Sequence, residues 1–157
     1  MKKIDIGQSI SLFANIGVLI GIALLVFELR QNRAMTAAEI RNSIAETTAT
    51  LIRDEAMNTE ILELSSKGLA GEPLEPLEQN QFELFWSAYF RMWENANYQY
   101  RVGLYDEVEY EAQRRTWLRL LENPGLLQVW CSRRGRGAVS EPFAAEMDQQ
   151  LGENSCE

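Results

Sequence analysis

Few side chains in this chain have the type and spacing to do chemistry. Glu94 stands among Trp93, Asn95, Asn97 and Tyr98. A carboxylate beside aromatic rings can have its pKa raised into the range of a general acid or base. The competing expectation, which the pattern favours, is a partly buried carboxylate paired with Arg91 or Arg101, or simply with water, because structural ion pairs perturb carboxylates too. Asp106, Glu107, Glu109 and Glu111 form an acidic run that would suit a divalent cation, but no glycine-containing calcium loop accompanies it. Helix capping and a solvated helix face account for it better. Arg133, Arg134 and Arg136 form a basic cluster in an expected loop. Against acidic lipid headgroups each would contribute about 1 kcal/mol, although three charges are fewer than a polybasic cluster usually holds.

The chain contains 0 histidines. Without imidazole there is no Ser-His-Asp or Cys-His catalysis, no His-containing zinc site and no Glu-x-x-His di-iron signature. Sites built only from carboxylates remain open. The expectation is a protein that is not an enzyme and has no catalytic, cofactor or metal residue. The formal net charge is −8, which repels nucleic-acid phosphates and argues against nucleic acid as a partner. The two cysteines, Cys131 and Cys156, have no paired spacing and read as free thiols. A bridge between them would require the domain to lie outside the cytoplasm.

These side chains must be positioned by helices. From Ile6 to Phe27 no residue is charged, and Asp5 and Glu28 bound the stretch. Its 22 residues rise about 33 Å as a helix, enough to cross the hydrocarbon core. A buried core helix of this kind is rare in so small a domain. A cleaved signal peptide fits Lys2 and Lys3, but Glu28, Arg30 and Arg33 occupy the place where small residues should prepare cleavage, and Thr36-Ala37-Ala38 lies too far downstream. The expectation is an uncleaved transmembrane helix over 10–27. Gly17 and Gly21, with Ala14 on about the same face, form a Gly-x-x-x-Gly surface through which two such helices can approach, and Asn15 can add an interhelical hydrogen bond. The alternative is that glycine is simply common in membrane helices. Two lysines before the span and Arg30, Arg33 and Arg41 after it barely decide orientation. With thiol usage they lean the domain to the cytoplasmic side.

No Pro or Gly interrupts residues 22–67, so the anchor is expected to continue as helix. The polar stretch 45–50 breaks any heptad pattern. Gly68 is expected as a helix C-cap, with Pro73 and Pro76 preventing continuation. A second strong helix is expected from Glu75 or Pro76 to about Val102. Phe82, Phe85, Trp86, Tyr89, Phe90 and Trp93 share one broad face of it, a core signature rather than a cofactor box. Gly103 should end it, and Asp106 should cap the next helix, with Glu109 completing a capping-box pattern. A turn at 123–125, a short helix to Cys131, and a last helix opened by Ser140 and fading after Leu151 complete the pattern. No segment alternates as a strand.

An apolar N-terminal helix leading into Glu28-Leu-Arg-Gln-Asn-Arg33, then an Ala/Thr-rich helix, then Phe90-Arg-Met-Trp-Glu-Asn-Ala-Asn-Tyr-Gln-Tyr100, Gly103-Leu-Tyr-Asp106 and Trp117 resembles a group of small, uncharacterised proteobacterial proteins. These carry one N-terminal membrane helix and a helical domain. The resemblance covers most of the chain. It implies placement and fold and carries no reaction, cofactor or catalytic residue.

The expected protein is thus all-α: an N-terminal tail (1–9), a transmembrane helix (10–27) continuing into a small helical bundle (28–151), and a polar tail (152–157). Its expected setting is the bacterial inner membrane, single-pass. Its expected role is an interaction or scaffold module with the lipid bilayer and either a homodimer partner or another membrane protein. The alternative is a ligand-sensing domain that signals through a partner.

Overall fold

The computed structural model describes the backbone of residues 6–152 and 155–156, and side chains from Ile10 onward. Lys2, Lys3 and Asp5 of the expected N-terminal tail, and Glu153, Asn154 and Glu157 of the C-terminal tail, lie outside the described residues. The architecture is all-α. Six helices follow one another, α1 (Ile6–Met57), α2 (Thr59–Leu69), α3 (Pro76–Arg101), α4 (Glu107–Leu120), α5 (Pro124–Gly135) and α6 (Glu141–Leu151), with no strand among the described residues. Two compact units divide the chain between Glu39 and Ile40.

The described residues of the first unit, from Ile6, are helix alone. Its large apolar side chains from Ile10 are exposed, from 43% at Ile16 to 72% at Phe13. The most apolar window of α1 has a mean hydropathy of 2.5 and is 0% buried. By length and composition α1 can therefore cross a membrane.

The second unit begins with the last turns of α1, where Ile44 is 2% exposed and Ile40 and Leu51 pack against the core. The expected unbroken helix stops at Met57, although no Gly or Pro is present. Asn58 adopts an extended conformation, and its side-chain oxygen accepts from the backbone N–H groups of Glu60 and Ile61 at 3.1 and 3.2 Å. It is the N-cap of a new helix, and an Asn in that role satisfies donors a continuing helix would have bonded itself.

Gly68 does not cap α2 as expected. The helix runs through it to Leu69, and the left-handed residue is Gly71, with φ 72°. Gly68 is small for packing: a Cβ there would overlap the Phe82 ring, and a Cβ on Gly125 would overlap the Gly68 carbonyl oxygen. This backbone approach seats the start of α5 on α2.

α3 is the central element. Pro76 opens it behind a capping box between Glu75 and Glu78, and the left-handed Gly103 follows its end. Phe82, Trp86, Tyr89, Phe90 and Trp93 are buried, and Phe85 packs at the edge. Their rings join those of the later helices. Trp93 stacks on Trp117 at 5.5 Å between centroids, and Trp130 lies 5.6 Å from both Phe90 and Phe143. Such aromatic pairs add about 0.5–1.5 kcal/mol each beyond their buried area.

The expectation of two free thiols is corrected. Cys131 and Cys156 form a disulfide, their Cα atoms 5.3 Å apart, because α6 carries the chain end back alongside α5. The basic segment expected as a loop is the last turn of α5 for Arg133 and Arg134, with Arg136 at its C-cap.

Candidate functional site

The most connected polar group of the bundle involves residues that no sequence motif marked. Asn97 on α3, Tyr110 on α4 and Glu146 on α6 meet at the core. The Asn97 amide donates to the Tyr110 hydroxyl at 2.8 Å and to Glu146 Oε2 at 2.6 Å. The Tyr110 hydroxyl donates to Glu146 Oε1 at 2.7 Å. Arg114 reaches the same carboxylate at 3.2 Å and pairs with Glu111 at 2.7 Å, while Arg101 donates to the Asn97 carbonyl at 2.9 Å. Tyr100 stacks on Tyr110 with centroids 4.3 Å apart. Burial, joined by the hydrogen bond and charge of Glu146, pushes the Tyr110 phenol well above its ordinary range. Burial alone would lower the Arg114 guanidinium, but Glu146 and Glu111 outweigh it and raise it. Apart from Arg114 Nε, which is buried without a partner among the described residues, the groups satisfy one another, which is how buried polar networks hold a unique packing. Asn97 and Tyr110 are each 0% exposed, so the centre of the network is closed to a substrate.

Glu94 is placed at the α3–α6 contact. Burial raises its pKa, but donation from Ser140, by side chain and backbone, and the charge of Arg91 outweigh it, and the net shift is downward. Its oxygens accept from the Ser140 backbone N–H at 2.6 Å and from Arg91 at 2.8 Å. A proton acid at neutral pH needs the opposite shift. Ser140 occupies the N-cap of α6 without a side-chain cap bond, and its backbone N–H is bonded to Glu94.

The basic cluster is bound internally. Arg133 donates to the Ser87 hydroxyl at 2.6 Å and lies over the Phe90 ring. Burial, then the charges of Arg91 and Arg136, lower its pKa. Arg134 pairs with Asp148 at 3.0 Å and with Glu141 at 3.4 Å, and Arg136 with Glu83 at 3.4 Å. These contacts tie α5 to α6 and α3. In the acidic run, Asp106 caps α4, accepting from Val108 and Glu109 at 2.9 and 3.2 Å, and Glu109 pairs with Arg41 of α1 at 2.7 Å. Among the described residues no group of three or more Cys, Asp or Glu side chains is placed to hold a metal ion.

In the apolar unit, Ala14, Asn15, Gly17 and Gly21 are all exposed, and a Cβ on either glycine would meet nothing within 4 Å.

The described residues of the bundle form a surface cleft. It lies between α2 and α3, has a volume of about 570 Å³, and is lined by Asn58, Ile61, Leu64, Ser65, Phe82 and Phe85 among others. That volume falls within the ~300–1,000 Å³ of ligand clefts.

No family model, curated protein or solved structure matches the chain. The family resemblance rests on the quoted residues alone.

Proposed function

We propose that this chain is a single-pass interaction protein, anchored in the bacterial inner membrane by Ile10–Phe27, with its helical domain on the oxidising, outer side. The observation that carries the anchor is an apolar helix near the N-terminus none of whose most apolar window is buried. In water, so large an apolar surface is unfavourable by tens of cal/mol per Å², and a bilayer removes that cost. The Cys131–Cys156 bridge supports the outer side, because structural disulfides persist in oxidising compartments and are rare in the cytosol. The one extra cation on the domain side, Arg30, Arg33 and Arg41 against Lys2 and Lys3, leans the other way and is outweighed by the bridge.

A scaffold or interaction role fits a bundle in which Glu94, Glu146, Arg134 and Arg136 are engaged in joining helices rather than presented to a substrate. No reaction is assigned to it. A homodimer through Gly17 and Gly21 is one form of the interaction, and a second membrane protein is the other. The particle mass in detergent, with crosslinking in intact membranes beforehand, tests the role. A homodimer or a recovered partner is expected; a lone monomer in both measurements contradicts it. The α2–α3 cleft favours one second reading, a ligand-sensing domain. A metabolite that raises the thermal midpoint of the full chain would support it.

A further inference from the structure

The α2–α3 cleft has an apolar floor and an acidic rim. Ile61, Leu64, Phe82 and Phe85 line its interior, with Leu84 at its edge; Glu60, Glu63 and Glu78 stand around it against the single cation Lys67. Among the described residues neither Glu60 nor Glu63 is in an ion pair, and both are exposed to solvent. The apolar surface continues beyond the cleft. Leu77 and Leu84, seven residues apart on α3, are 69% and 65% exposed, and Leu62 on α2 is 46% exposed. Large apolar side chains spaced by two helical turns beside a groove match the anchor spacing of an amphipathic helix lying in it. Three carboxylates against one ammonium select the sign of that helix, since complementary rim charges steer association and exclude like-charged partners.

We infer that the α2–α3 groove docks a basic amphipathic helical segment of another protein, its apolar face on Ile61, Phe85 and Leu84 and its Lys or Arg residues against Glu60, Glu63 and Glu78. This rests on the interaction-protein reading and names the surface and partner chemistry for it.

The test uses the full chain in zwitterionic nanodiscs and two fluorescent synthetic peptides with one leucine face, one bearing Lys and the other Glu on the polar face. The Leu/Lys peptide is expected to bind, more weakly as salt rises, and the Leu/Glu peptide not to. Leu84→Asp, at an exposed position, should weaken binding about tenfold. The double change Glu60→Lys, Glu63→Lys should reverse the preference between the peptides. Circular dichroism checks that both variants keep the helical content of the parent. Equal binding of the two peptides, or binding indifferent to both variants, overturns the inference. A dimer of the chain that Leu84→Asp dissociates gives the groove to a second copy and also overturns it. Partner capture in membranes that persists unchanged in Leu84→Asp removes the groove and leaves the interaction reading standing.

Discussion

Cutting the Cys131–Cys156 bridge should loosen the whole bundle. The two residues are 25 apart in sequence. Closing a loop of that length removes unfolded-chain entropy equivalent to about 3.5 kcal/mol at 25 °C in the chain-entropy treatment, and native disulfides in small domains contribute about 2–5 kcal/mol. The loop contains α6, whose Phe143, Ala144 and Met147 are 0% exposed. Release of the chain end therefore leaves α6 held by packing, by Glu146 and by Asp148, and the loss should fall near 3 kcal/mol. For a domain of this size that lowers the melting midpoint by roughly 10 °C. The assay is tryptophan fluorescence of the full chain in detergent during a thermal ramp, with and without reductant, beside Cys156→Ser. Reductant should shift the parent to the midpoint of the variant and leave the variant unchanged. A parent midpoint indifferent to reductant, with both cysteines taking up maleimide before any reductant is added, would refute the reasoning.

Other perturbations follow from the same contacts. Gly125→Ala pushes a Cβ into the Gly68 carbonyl and should destabilise the bundle by about 1–3 kcal/mol, read by urea denaturation. Tyr110→Phe strips a buried hydroxyl from Asn97 and Glu146 and should cost about 1–3 kcal/mol by the same assay. The Ser65 hydroxyl is buried without a partner, so Ser65→Ala should leave stability unchanged or raise it by about 1 kcal/mol. Glu94 has a depressed pKa in the folded state. Its contribution is full above the unfolded carboxylate pKa and is lost as pH falls through the folded value. Glu94→Gln should therefore lower the melting midpoint at neutral pH, and the difference from the parent should shrink towards zero as the pH drops below that folded value.

Much of the fold was legible because it depends on local spacing. The aromatic stripe from Phe82 to Trp93 obeys helical periodicity, Asp106 precedes an apolar-periodic run, and Gly103 follows one. The break at Asn58 was hidden because it needs neither Gly nor Pro; an Asn whose side chain caps Glu60 and Ile61 reads like any polar helix residue. Gly68 reads as a cap because glycine serves both left-handed turns and close backbone approach, and only the position of α5 distinguishes the two. The disulfide was illegible because a 25-residue separation acquires meaning only when α6 returns the chain to α5. Glu146 belongs to no motif. Its one local signal is its place beside Met147 and three residues after Phe143, on the side that packs inward.

The proposed protein is an anchored domain outside the cytoplasmic face. The measurement that tests this most directly is protease treatment of intact spheroplasts making the full chain, after an alkaline carbonate wash of parallel membranes. The chain should stay with the carbonate-washed membranes, and external protease should degrade the helical domain without lysis. Release by carbonate, or a domain protected until the spheroplasts are broken, would contradict it.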